Sequence, residues 1–174
     1  MTGSSKTSLL ILRHAHSSWA SPGQRDHQRP LDERGRREAE LLCRLLQDAE
    51  IGIDAVICST AVRAIETLEA IRPALPAGLF EELSNDLYAL GTEAYYAAAK
   101  RHSGRNAVLL VGHNPMVEDF ARSLVADGER EALKAIAEGF PTSAFATIAF
   151  DRPLGEIAPK TGFLAGVIIP REER

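Results

Sequence analysis

Only two cysteines, Cys43 and Cys58, occur in 174 residues, too few for more than one thin disulfide and without the spacing of a metal clip. Both read as small buried hydrophobes. Long apolar runs are also missing: the run 9–12 stops at Arg13, far short of the roughly 18 residues that cross a membrane and too short for a signal-peptide core. Nor is there a surplus of positive charge. Twenty Lys and Arg against 24 Asp and Glu leave a net charge of −4, which removes the basic field needed to hold nucleic acid or an anionic membrane. Neither partner is expected, a cytoplasmic location is, and any anion must be gripped locally. Repeats and linkers are absent as well. What remains, 45% hydrophobic and 25% charged residues, is the composition of an ordinary globular protein. Residues 1–174 read as a single domain with residues 1–7 a flexible tail, and nothing demands more than a monomer.

Hydrophobic patterning places buried strands at 8–13, 54–59 and 107–112, each a short apolar run. Helices are expected at 32–49, capped by Asp32 with Leu41, Leu42, Leu45, Leu46 and Ala49 on one face, and at 61–72, 92–101 and near 129–138. Another opens at Asn114 and Pro115, read as N-cap and first helical residue. A short extended piece near 79–83 leads into a loop holding Asp86 and Tyr88. Two late apolar stretches, 143–150 and 163–169, are expected to pair at the sheet edge. The alternation predicts an α/β fold with a mainly parallel central sheet flanked by helices on both faces.

The chemistry collects immediately after the strands: Arg13 and His14 after the first, Ser59, Thr60 and Arg63 after the second, His113 and Asn114 after the third. Ligands of open α/β sheets bind outside the carboxyl ends of the strands, so these groups are expected to converge. Arg63 and His113 also stand at helix starts, where free N–H groups favour an anion. Two Arg and two His in one place imply a phosphoryl group held by forked guanidinium bonds. Each residue alone has a plainer explanation as a cap or a packed histidine; their joint occurrence at three strand ends carries the reading. His27 and His102 read as solvated surface, whereas His16 either lines the pocket or faces water. His14-Ala15-His16 also has metal-ligand spacing, but a metallohydrolase barrel needs further ligands and about 250 residues. No metal or other cofactor is expected.

Arg13-His14-Ala15, continued by His16-Ser17-Ser18-Trp19, Asp26-His27-Gln28-Arg29-Pro30-Leu31 and Arg34-Gly35, resembles the first motif of the histidine phosphatase superfamily, which includes the phosphoglycerate mutases. Its SixA-like phosphohistidine phosphatase branch is the nearest in pattern. Cys58-Ser59-Thr60-Ala61-Val62-Arg63-Ala64 with Thr67 resembles the second motif, and Val111-Gly112-His113-Asn114-Pro115-Met116 the third. The resemblance implies a phosphoglycerate mutase-like three-layer sandwich and a phosphatase without metal. His14 would be the nucleophile, and Arg13, Arg63 and His113 would surround the transferring phosphoryl, with Ser17 adding a hydroxyl donor.

The sequence departs from the family at Ala15, where Gly is usual, and at Ala20, the nearest residue to an Asn that other branches carry. The family's general acid falls between the second and third motifs, where Glu81, Glu82 and Asp86 are available and Asp86 is favoured for its place in the loop. A phosphoramidate leaves through a readily protonated nitrogen, so a weak acid points to protein phosphohistidine as substrate. The alternatives are a small phosphate ester as substrate or a non-catalytic phosphate-binding protein on the same fold. With the core using most of the chain, little remains for a lid, and an open site is expected.

Overall fold

A computed structural model describes residues 6–19 and 21–172. Seven strands form one sheet: β1 (Thr7–Arg13), β2 (Ala55–Ser59), β3 (Phe80–Ser84), β4 (Ala107–Gly112), β5 (Val125–Gly128), β6 (Phe145–Phe150) and β7 (Gly162–Ile168). Their order across the sheet is β3-β2-β4-β1-β6-β7-β5. β3, β2, β4 and β1 run parallel, β6 lies antiparallel between β1 and β7, and β5 closes the far edge parallel to β7.

Both faces of the parallel half are covered, which is why its strands read as unbroken apolar runs. Successive side chains point to opposite faces. Leu9 and Ile11 of β1, Ala55 and Ile57 of β2, and Val108 and Leu110 of β4 face one core. Leu10, Leu12, Val56, Cys58, Leu109 and Val111 face the other. Helices α4 (Thr92–Arg101), α5 (Met116–Leu124) and α6 (Arg130–Glu138) cover the first face, with Tyr95, Ala98, Phe120, Leu124 and Ile136. The second is covered by α1 (Glu33–Ala49) and α2 (Val62–Ile71), through Leu42, Cys43, Leu46, Ala64, Leu68 and Ile71. A fully buried Leu or Ile here contributes about 1.5–3 kcal/mol. Both cysteines are free and buried, and burial pushes the Cys58 thiol up to about 12, so it is inert packing.

Several expectations change. Thr7, assigned to the flexible tail, is buried in β1 and its Oγ1 donates to the Arg152 carbonyl at 2.7 Å; residues 1–5 lie outside the described residues. The late strands do pair, but β6 is interior and the edges are β3 and β5. The loop after β3 contains a short helix, α3 (Asp86–Ala89). On α1 the buried face is Gly35, Ala39, Leu42, Cys43 and Leu46, while Leu41, Leu45 and Ala49 lie farther out. Asp32 does cap α1, its carboxylate accepting from the Gly35 N–H at 2.8 Å. Asn114 does not cap α5: its Nδ2 donates to the Phe140 carbonyl at 3.0 Å, because the chain before α5 turns toward the 139–144 connection.

Candidate active site

β2, β4 and β1 are adjacent and in register, Cys58 opposite Val111 and Gly112 opposite Arg13, so their carboxyl ends finish side by side. His14, Ser59 and His113 leave those ends together, and the imidazoles of His14 and His113 lie 5.0 Å apart between centroids. His14 is 8% exposed and His113 4%.

Two hydrogen bonds fix the state of His14. Its Nδ1 lies 2.6 Å from the Ala15 carbonyl, an acceptor only, so Nδ1 carries the proton. Its Nε2 accepts from Nε–H of Arg63 at 3.3 Å, which places a lone pair on Nε2. Burial above all, with the nearby cations Arg63, Arg13 and Arg29 acting against the stabilising Ala15 carbonyl, lowers the His14 pKa to about 3. The ring is therefore neutral at pH 7. The loop carrying it is pinned by Thr67 of α2, whose Oγ1 accepts from the Ala15 N–H at 2.9 Å and donates to the Arg63 carbonyl at 2.7 Å. The Ala15 side chain packs with Leu31 and Ala39.

Arg63 is 6% exposed. Its Nη1 donates to the Asp26 carbonyl at 2.9 Å and its Nη2 to Asp26 Oδ2 at 3.2 Å, which turns Nε toward His14. Arg13 donates from Nη1 to the Phe140 carbonyl at 3.0 Å, and its buried Nε has no partner among the described residues. Burial lowers its pKa, opposed by Glu118 and Glu38. His113 Nε2 lies 2.7 Å from Ser59 Oγ, which also accepts from the Ala61 N–H at 3.2 Å. The Ser59 proton can thus go to Nε2, and His113 Nδ1 is buried without a partner among the described residues. Burial, then His14 and Arg63, lowers the His113 pKa to about 3.

His14, Arg63 and His113 lie together, while the Arg13 guanidinium is held at the Phe140 carbonyl and acts on His14 through its charge. The other assignments fare differently. The Ser17 hydroxyl donates to the Pro30 carbonyl at 2.7 Å, so the loop's own backbone engages it. His16 Nδ1 pairs with Asp32 Oδ2 at 2.6 Å at the head of α1. Glu81 is bound by Arg72, and Glu82 by Arg101 and His102, on the edge strand β3. Asp86 is exposed in the first turn of α3, and its carboxylate has no partner among the described residues. Ala20 lies outside the described residues. His27 is no solvated surface group: its Nε2 is 2.8 Å from Thr60 Oγ1 and its ring meets Tyr88 edge-on at 4.7 Å. His102 sits against Phe80 and Glu82.

Two residues at the centre were not singled out from the sequence. Tyr88 reaches in from α3, at the carboxyl end of the fourth parallel strand, and its ring lies 5.6 Å from that of His113. Its hydroxyl donates to Asp26 Oδ2 at 2.9 Å. Asp26 thereby joins Arg63, Tyr88 and Arg29, whose Nε donates to Oδ1 at 3.0 Å. Partial burial pushes its carboxyl up, but Tyr88 and Arg63 outweigh that and hold it below the usual range. These contacts fold the 14–31 loop back over the strand ends. The two imidazoles are recessed, at 8% and 4% exposure.

Comparison with known proteins follows the geometry. A profile of the histidine phosphatase superfamily (branch 1) matches residues 9–88. An uncharacterized protein of Mycobacterium tuberculosis is 34% identical over 163 residues, 92% of this chain and all of the relative. The phosphohistidine phosphatase SixA of Escherichia coli is 28% identical over 146 residues, 82% of this chain and 85% of that one. A crystal structure from Agrobacterium tumefaciens, of a protein provisionally named phosphohistidine phosphatase SixA, superimposes with a TM-score of 0.80 at 30% identity, covering 94% of this chain and 98% of the other. The shared architecture is the phosphoglycerate mutase-like three-layer sandwich.

Proposed function

Because the chain belongs to the histidine phosphatase superfamily, we propose that it is a metal-independent phosphatase that works through a phosphohistidine on His14 and takes protein phosphohistidine as substrate. The observation that carries this reading is the buried neutral imidazole of His14, with Nδ1–H tied to the Ala15 carbonyl and the Nε2 lone pair facing Arg63.

In the first step Nε2 of His14 forms a bond to phosphorus while the substrate P–N bond breaks. The bonding pair stays on the substrate nitrogen, which takes a proton from solvent. In the second, water attacks the phosphoryl on His14, releases inorganic phosphate and a proton, and restores the neutral ring. The guanidiniums of Arg13 and Arg63 and the Nδ1–H of His113 serve the equatorial oxygens, which is where phosphoryl transfer gains most of its rate. The carboxylates support nitrogen as the leaving atom. Glu81 and Glu82 are paired away on β3, the Asp86 carboxylate has no partner among the described residues, and Asp26 is held ionised, so none of these four is poised to protonate an alkoxide.

Brief incubation with radiolabelled phosphoramidate tests the nucleophile: the wild type should trap label and His14→Ala should not. Equal labelling of both would overturn the assignment. Rates on a phosphohistidine peptide and on a panel of phosphate esters test the substrate. A strong preference for an ester refutes phosphohistidine in favour of a small-molecule phosphomonoesterase, and phosphate binding without any turnover leaves only a phosphate-binding protein.

A further inference from the structure

His27 is a titratable side chain at the centre to which the mechanism gives no task. Its ring is half-buried and held in one orientation. Thr60 Oγ1 spends its own proton on Asn85 Oδ1 at 3.2 Å, so at 2.8 Å it accepts from the Nε2–H of His27. In the neutral ring the lone pair then lies on Nδ1, which has no partner among the described residues. The Tyr88 ring, edge-on at 4.7 Å, holds the imidazole from the other side.

This ring stands across the centre from the nucleophile. The Nε2 lone pair of His14 faces Arg63, whose Nη1 donates to the Asp26 carbonyl, one residue before His27. The guanidinium carbon of Arg63 is 6.0 Å from the centroid of Tyr88, and the rings of His14, His113, Tyr88 and His27 follow one another at 5.0, 5.6 and 4.7 Å. Phosphoryl transfer runs in line, so water meets a phosphoryl on His14 from the face opposite Nε2, the side on which Arg63, Tyr88 and His27 stand. The other groups there are committed. Asp26 accepts from Arg63, Tyr88 and Arg29, Tyr88 gives its proton to Asp26, and His113 Nε2 is engaged by Ser59. Asp86, exposed on α3, has no partner among the described residues to orient it.

We propose that His27 is the general base of the second step. Its Nδ1 takes a proton from the attacking water as the water oxygen bonds to phosphorus and the bond from phosphorus to His14 Nε2 breaks, the bonding pair returning to His14. Hydrogen phosphate leaves, and the His27 imidazolium passes its proton to solvent. This rests on the reading of a phosphohistidine on His14 and adds the residue that activates water.

Rapid-quench and steady-state kinetics with radiolabelled phosphoramidate test it. In His27→Gln, whose amide can still donate to Thr60, kcat should fall about tenfold or more and KM with it. The ratio kcat/KM, which reports transfer to His14, should hold while labelled phosphoenzyme accumulates. A merely structural role would lower kcat/KM without accumulation; that result, or an unchanged kcat, overturns the proposal. The wild type supplies a check free of any folding defect: label should leave its isolated phosphoenzyme more slowly in D2O than in H2O, and equal rates overturn the base. If the wild type traps no label, the covalent intermediate itself falls, and the base with it.

Discussion

Asp26→Asn separates positioning from mere packing. The carboxylate accepts from Arg63 Nη2 and Tyr88 Oη on Oδ2 and from Arg29 Nε on Oδ1. Asparagine offers a single acceptor oxygen; wherever it points, its NH2 meets another donor. If the oxygen keeps Arg63 and Tyr88, Arg29 retains only the Ser18 carbonyl, and if it keeps Arg29, the Arg63 Nη nitrogens are left with the Asp26 carbonyl alone. The Asp26 side chain is 51% exposed, so solvent screens these bonds and the stability cost is about 1 kcal/mol or less, a fall in Tm of no more than about 4 °C.

The effect on rate should be larger. Arg63 Nε is aimed at His14 because the other two nitrogens are held, and displacing a transition-state donor by about 1 Å costs roughly 100-fold. We expect kcat for any accepted phosphoryl donor to fall about 10- to 100-fold, while KM stays level or drops, since the lost charge had repelled a phosphoryl dianion. The pair of readouts is a thermal melt and a full kcat and KM determination. An unchanged kcat with an intact fold would refute the reasoning, since it would show that Arg63 needs no carboxylate to stay in place.

Acidification supplies a second test. His14 and His113 have folded pKa values of about 3 against 6.5 unfolded, so between those values the unfolded chain binds more protons and stability rises with pH. The full contribution is present above pH 6.5 and is lost toward pH 3; at pH 5 each histidine should cost about 2 kcal/mol relative to pH 7. Urea midpoints at the two pH values should show it, with a smaller drop in His113→Gln, and an imidazole of either residue titrating near 6.5 by NMR would contradict it. Thr67→Val removes the acceptor of the Ala15 N–H and should cost about 1–3 kcal/mol in urea unfolding along with activity. Gly112→Ala places a Cβ 2.0 Å from the Tyr95 hydroxyl and 2.8 Å from its ring, which is fully buried and bonded to Leu87. A cost of about 1–3 kcal/mol or more is expected, and a wild-type Tm would show that Tyr95 can yield.

What could be read from the sequence depended on how many faces an element buries. β1, β2 and β4 lie inside the sheet with helices on both sides, so their apolar runs announced them and the residues after them announced the site. β3 is an edge strand with sequence FEELS, and it gives almost no pattern. Its carboxyl end nevertheless supplies Tyr88, and the same weak signal hid that Glu81 and Glu82 lie along a strand edge, within reach of Arg72 and Arg101. β5, four residues long and containing Asp127 and Gly128, was equally silent. Asn114 misled for another reason. Its position before Pro115 fits a cap by local rules, but the Phe140 carbonyl, 26 residues later, takes its amide.

Asp26 shows the same limit more sharply, because its role is set by Arg63 and Tyr88, 37 and 62 residues away, and no local pattern encodes that triangle. It also accounts for how an acidic protein keeps a cationic pocket. Arg13 is held by a backbone carbonyl, and Arg63 by another carbonyl together with one half-exposed carboxylate. Carbonyl dipoles orient guanidiniums without cancelling their charge, whereas tight carboxylate pairs would leave little for a ligand. Burial above all, with the uncancelled charge beside it, lowers the His14 pKa, which keeps the ring neutral and Nε2 unprotonated. In the proposed reaction the same charge would attract the phosphoryl oxygens. On the proposed mechanism one arrangement of donors would serve both halves of the reaction, and neutralising Arg63 more completely would weaken phosphoryl binding and raise the basicity of His14 together.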